Sequence, residues 1–239
     1  MLPPLKTVAE IDEKELFAAS YVKLARAQKF IDDLESELAR YIASKPLSAR
    51  FRHEENPATI HVQWTGITML PGAIIGDAIH NLRTSLDLMA SELARINKKS
   101  DSDVYFPFAA TADKFEQVIN SRNFDRAGED AVLLLKSFAP YRGGNDRLRA
   151  LHDLDIEDKH KALVPTGHTM NVKIEGSYNI DNLAENTLSL IGEDIHYTFP
   201  PNTVFGGDRI IETLKDLMQI VHGIVEAFAG LVRSRKPIA

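Results

Sequence analysis

Near the middle of the sequence a histidine, an arginine, a threonine and an aspartate recur at helical spacing: His80, Arg83, Thr84 and Asp87. Offsets of three, four and seven place all four on one flank of a helix. These side chains can carry chemistry. An imidazole titrates near neutrality, a guanidinium holds phosphate or developing negative charge, and a carboxylate orients either of them. The same flank also reads as solvated surface with an ordinary Arg83–Asp87 pair worth about 0.3 kcal/mol. Spacing alone does not choose between the two. Asn81 lies on the same polar side of the helix. Leu88 sits in the middle of that side, where water-facing surface does not favour leucine, so a neighbouring helix or a partner subunit is expected to cover it.

A second unusual stretch predicts a helix from Asn145 or Asp146 to about Leu163. Leu148, Leu151, Ile156 and Leu163 form one broad apolar arc, and His152, Asp155 and Lys159 fall inside it. Polar groups on a buried face need partners. Asp155 and Lys159, four apart, can pair with each other and His152 can join them, which would be a structural ion pair. Alternatively the three line the floor of a polar pocket facing the His80–Asp87 flank. If the helix stops at Asp158, the run Asp158-Lys159-His160 lies in a loop.

The string Gly76-Asp-Ala-Ile-His-Asn-Leu-Arg-Thr-Ser-Leu-Asp87 resembles the signature helix of an uncharacterised bacterial family, with its GD–x–x–HNLR–[ST]–x–LD core. Phe106-Pro107 and Asp158-Lys159-His160 match that family's downstream FP and DKH runs, so the resemblance spans roughly residues 70–162. Arg83 and the residues after it also resemble the HEPN superfamily, whose mark is an arginine, four residues and a histidine. That resemblance implies a helical bundle that dimerises through its long helices. It implies either a metal-independent ribonuclease of the toxin–antitoxin or phage-defence kind, or a non-catalytic relative. On that reading His80, Arg83, Asp87 and His160 are the catalytic candidates, and Asn81, His152, Asp155, Asp158 and Lys159 are the ligand-binding ones. The sequence departs from the motif at one place: Leu88 stands where the histidine is expected. Two functional readings therefore stay open, an RNA-directed enzyme or its degenerate relative, and a non-catalytic homodimeric protein that binds a protein partner or a ligand.

The elements that must position these residues follow from periodicity. Long helices are expected over 9–43, 71–97, 145–163 and 209–233, the last capped by Asp208, with shorter ones over 112–120 and 128–138. Period-two alternation predicts strands within 47–66 and 164–200. The fold class is α+β: a single domain over 1–239, mainly a helical bundle with a HEPN-like core of about four long helices and two small β insertions. Among 239 residues there is no cysteine, which excludes disulfides, thiolate metal ligands and a cysteine nucleophile. No HExxH or paired Glu-x-x-His spacing and no Gly-rich phosphate loop occurs, so neither metal nor cofactor is expected. No secretory leader or membrane-spanning run is visible, and a cytoplasmic protein is expected. The net charge of −6 argues against coating nucleic acid. It is unevenly spread, however: residues 173–198 carry −4, whereas 136–161 carry +1. The acidity therefore does not speak against a local phosphate-binding groove.

Overall fold

The computed structural model describes residues 2–44, 47–52, 59–64, 70–160, 167–177, 187–201 and 203–235, with the backbone alone over 47–52, 59–64, 159–160, 167–177 and 187–195. Its order is α1 (Ala18–Ala43), β1 (Leu47–Arg52), β2 (Thr59–Trp64), α2 (Leu70–Ile96), α3 (Phe115–Ser121), α4 (Glu129–Phe138), α5 (Asp146–His160), β3 (Gly167–Ser177), β4 (Thr187–Thr198) and α6 (Ile210–Ser234). Helices dominate. Strands β1 and β2 pair antiparallel, as do β3 and β4, the latter with a register shift between Lys173 and Ile174. The turn expected at Glu55-Asn56-Pro57 and the far end of the helix expected to reach Leu163 lie outside the described residues.

Helix α2 is the central element. Ile75, Ile79, Leu82, Leu86, Met89 and Leu93 are fully buried, the stripe that a 3.6-residue period predicts. They pack with Leu24, Ile31 and Leu34 of α1 and with Leu217, Val221, Val225 and Phe228 of α6 in one continuous core. The backbone N–H of Phe17, just before α1, donates to Glu92 near the end of α2 (3.1 Å), so the two long helices run antiparallel. Helix α5 lies against both α2 and α6. No helix among the described residues is long and apolar enough to cross a membrane.

Several boundaries differ from expectation. The first helix begins at Ala18, not at residue 9, because Phe17 adopts a left-handed conformation (φ 60°) that breaks the helix while its ring enters the core. Upstream, Val8–Glu10 forms a separate 3-10 turn whose Thr7 and Glu10 bond each other. The helix expected over 112–120 divides into a 3-10 turn, Ala112–Lys114, and α3. Asp208 does not cap α6. The flanking residue is Arg209, and the Asp208 carboxylate lies 3.5 Å from Arg147 instead. Asn145 does cap α5, its Oδ1 accepting the Leu148 N–H at 3.0 Å.

Between α2 and α3 the chain is extended. Val104 and the whole run Phe106–Ala109 are buried while Tyr105 is exposed, so the segment is sunk into the body of the protein and shows only Tyr105 to the outside. The Tyr105 and Ala109 N–H groups reach the Arg122 and Pro140 carbonyls, at 3.1 Å each. This segment, α2 and α5 enclose the site.

Candidate functional site

The polar flank of α2 faces the polar residues inside the apolar arc of α5, and two contacts cross the seam. His80 Nδ1 lies 3.0 Å from Asp155 Oδ1. Arg83 Nε donates to His152 Nδ1 at 3.3 Å. Each partnership settles a tautomer. A carboxylate only accepts, so Nδ1 of His80 is the donor to Asp155, and Nε2 lies 3.4 Å from Thr84 Oγ1. His152 accepts at Nδ1, so its proton is on Nε2. Burial first, then the charges of Arg83 and Arg149, lower the His152 pKa to about 3, so this ring is neutral at pH 7. The His152 ring also stacks on Phe108 with centroids 4.8 Å apart and planes 2° from parallel.

Arg83 is the hub of the seam and is only 8% exposed. Its Nη1 lies 2.5 Å from Asp87 Oδ1, its Nη2 donates to the Phe106 carbonyl at 3.3 Å, and its Cζ sits 4.6 Å above the Phe108 ring. Asp87 Oδ1 in turn accepts the Phe106 N–H at 2.9 Å. The Arg83–Asp87 pair therefore grips both backbone polar groups of one residue and fixes the extended segment to α2. An i,i+4 pair on open surface is weak. This one is enclosed, and it satisfies buried backbone groups that would otherwise lack partners.

The remaining candidates divide. Asn81 is buried and donates to the Asp77 carbonyl at 2.8 Å, capping its own helix turn, so its amide is directed inward and not toward a ligand. Asp155 is buried beneath His80, which is 45% exposed at its side chain. Asp158 lies on α5 where that helix crosses Gly76. Lys159 and His160 are the last residues of α5, so the DKH run is helical and not a loop; their side chains lie outside the described residues. The Asp155–Lys159 pair expected from spacing falls there too, while the described partner of Asp155 is His80. No group of three His, Cys, Asp or Glu residues suited to a metal ion occurs among the described residues.

Two participants were not among the expected site residues, although Arg149 belongs to the Arg142, Arg147 and Arg149 cluster of the weakly basic stretch 136–161. Phe108 forms the apolar lid over Arg83 and His152, and the sequence sign of it is its place in the apolar run Val104-Tyr-Phe-Pro-Phe108. Arg149 is largely enclosed one turn before His152. Its Nη2 pairs with Asp153 Oδ1 at 2.8 Å, while its Nε and Nη1 are buried without a hydrogen-bond partner among the described residues. Asp153 also pairs with Arg142 at 3.2 Å. The seam thus keeps unused donors: the inner edge of Arg149, and Arg83 Nη1, which is ion-paired to Asp87 but makes no hydrogen bond among the described residues.

Gly76 sets how close the helices come. A methyl group there would stand 2.6 Å from Asp158 Cγ and 2.7 Å from its Oδ2. Glycine to alanine inside a helix ordinarily stabilises by about 1 kcal/mol. Here Gly76→Ala is expected to destabilise by about 1–2 kcal/mol through overpacking. The check is a lower urea midpoint at unchanged slope, with the loss relieved in an Asp158→Ala background.

No protein-family model matches the chain, and neither the curated proteins nor the solved structures contain a match to it.

Proposed function

We propose that this protein is a HEPN-like, degenerate nuclease-like protein of the bacterial defence or toxin–antitoxin type that binds without cleaving, with the α2–α5 seam as its site. The observation that carries this reading is the state of Arg83. Its guanidinium is enclosed and engaged by Asp87, His152, the Phe106 carbonyl and the Phe108 ring. An arginine that stabilises a scissile phosphate must offer free N–H groups to the substrate. The motif's histidine position, held by Leu88, supports the same reading. The proposal includes the homodimer and the placement of the two strand pairs as insertions in a HEPN-like core. Light scattering reads the former as a doubled mass.

A second reading rests on His80. An exposed imidazole oriented by a buried carboxylate on Nδ1, with only Thr84 Oγ1 at 3.4 Å facing its Nε2 among the described residues, is the arrangement of a general base. One experiment separates the two. Labelled single-stranded RNA is incubated, without divalent metal, with the wild type, His80→Ala and Leu88→His. The binding reading expects no cleavage above buffer from any of them, Leu88→His included, because Arg83 stays engaged. Cleavage by the wild type that His80→Ala abolishes would overturn it and establish the enzyme.

A further inference from the structure

On the side of α6 that faces α1, away from the seam, a second group of titratable residues lines a cavity of about 240 Å³. Tyr21 of α1 and His222 of α6 form its wall, at 7% and 5% exposure, with their rings edge to face at 6.5 Å. The Tyr21 hydroxyl donates to Glu226 Oε1, and His222 Nε2 lies 3.7 Å from the same oxygen. Burial and the Glu226 carboxylate both raise the Tyr21 pKa, so the phenol stays protonated and remains the donor. Glu226 Oε2 has no protein partner among the described residues. Pro3 and Pro4 supply the apolar roof, because the N-terminal segment passes over α6 with Leu2 3.7 Å from the Cβ position of Gly223.

The charges at this cavity sort into one satisfied pair and two unsatisfied groups. Lys6 and Glu15 lie 2.6 Å apart and cancel. Arg233, in the last turn of α6, also lines the cavity, and no ion pair engages it among the described residues. Arg233 and Glu226 are seven positions apart on one helix, so they share a face with about 10 Å of axial rise between their backbones. Both line the same cavity, and the long stem of Arg233 can cover part of that rise.

The geometry points to a binding site for a small aliphatic zwitterion. Its ammonium group would lie on Glu226 Oε2, its carboxylate on Arg233 and its methylene chain under Pro3 and Pro4. A ligand with one charge leaves the opposite protein charge unanswered, and a larger polar ligand meets the proline roof. No bond is made or broken.

The site is tested on the full chain with 5-aminopentanoate as the probe and pentanoate and pentylamine as single-charge controls, by calorimetry and by the His222 ring-proton NMR signal. The expected result is saturable binding of the zwitterion that moves the His222 signal, with each control at least about tenfold weaker. Arg233→Met, at an exposed position, and Glu226→Gln are each expected to weaken binding by about tenfold or more. Arg233→Met is decisive, because its fold is checked independently by circular dichroism and a cooperative melt. The proposal is overturned if the probe does not bind, if pentanoate binds as well as the zwitterion, or if folded Arg233→Met binds unchanged.

Discussion

Arg83→Ala is expected to lower the stability of the fold by about 3–4 kcal/mol, a fall of about 10 °C in melting temperature for a chain of this size. Truncating one partner of an enclosed ion pair leaves the other charge uncompensated, and here the loss extends further. The Phe106 carbonyl loses its donor, His152 loses the N–H at Nδ1, and the cation over Phe108, worth about 1 kcal/mol, disappears. Asp87 keeps the Phe106 N–H and is a quarter exposed, which holds the cost toward the lower end of the range for buried pairs. Arg83→Lys retains the charge but not the planar fork and is expected to cost about 1–2 kcal/mol. Urea denaturation read by circular dichroism measures both. An arginine held ready for a phosphate would behave as surface and change stability by about 0.5 kcal/mol or less. A measured loss below 1 kcal/mol would therefore return Arg83 to the solvent and reopen the catalytic reading. The prediction thus bears on function through a stability measurement that needs no knowledge of the ligand.

Why this arrangement was half visible in the sequence follows from the range of the forces involved. The buried stripe of α2 was legible because burial on one side of a helix imposes a local period, and six expected positions are fully buried. The start of α1 was not, since the apolar pattern runs on smoothly through Leu16 and Phe17, while the break is a backbone conformation stabilised by a distant contact with Glu92. Polar residues inside the α5 arc announced that partners existed and left two on offer, a neighbour on the same helix or the His80–Asp87 flank. The spacing pair Asp155–Lys159 lies outside the described residues, while the contact with His80, 75 residues away, is the one described. The Arg83–Asp87 pair looked like a marginal surface pair because its local geometry is that of one. What changes its value is the Phe106 backbone, delivered by an extended segment that no helical period can report. The Phe106-Pro107 run that helped carry the family resemblance therefore has a structural use here: it presents one residue's N–H and carbonyl to the pair on α2.

Mild acid is expected to weaken the fold before any carboxylate network is titrated, and His152 is the main cause. In the folded chain its pKa is lowered to about 3, whereas an unfolded histidine titrates near 6.5. Between those values the unfolded state binds the proton and the folded state does not, so stability rises with pH across the window and is lost as pH falls through it. The groups facing His152 all bear on this. Arg83 from α2 and Arg149 from its own helix oppose protonation, as does Arg122 more weakly, and Asp155 favours it. His222 adds a smaller loss of the same sign, since burial lowers its pKa too, against the pull of Glu226. Asp130, held below the usual carboxylate range by the hydrogen bond from Arg235, enters only at lower pH. Because the His152 ring is partly open to water, the full shift is not realised as stability, and a loss of about 2 kcal/mol between pH 6.5 and 4.5 is expected. His152→Gln keeps an acceptor for Arg83 Nε without a titrating ring. Its urea midpoints at pH 7.5, 5.5 and 4.5 should fall much less than those of the wild type. Parallel curves for the two proteins would mean that His152 protonates freely in the folded state, and the close packing of Arg83, His152 and Phe108 would then not hold the ring neutral in solution.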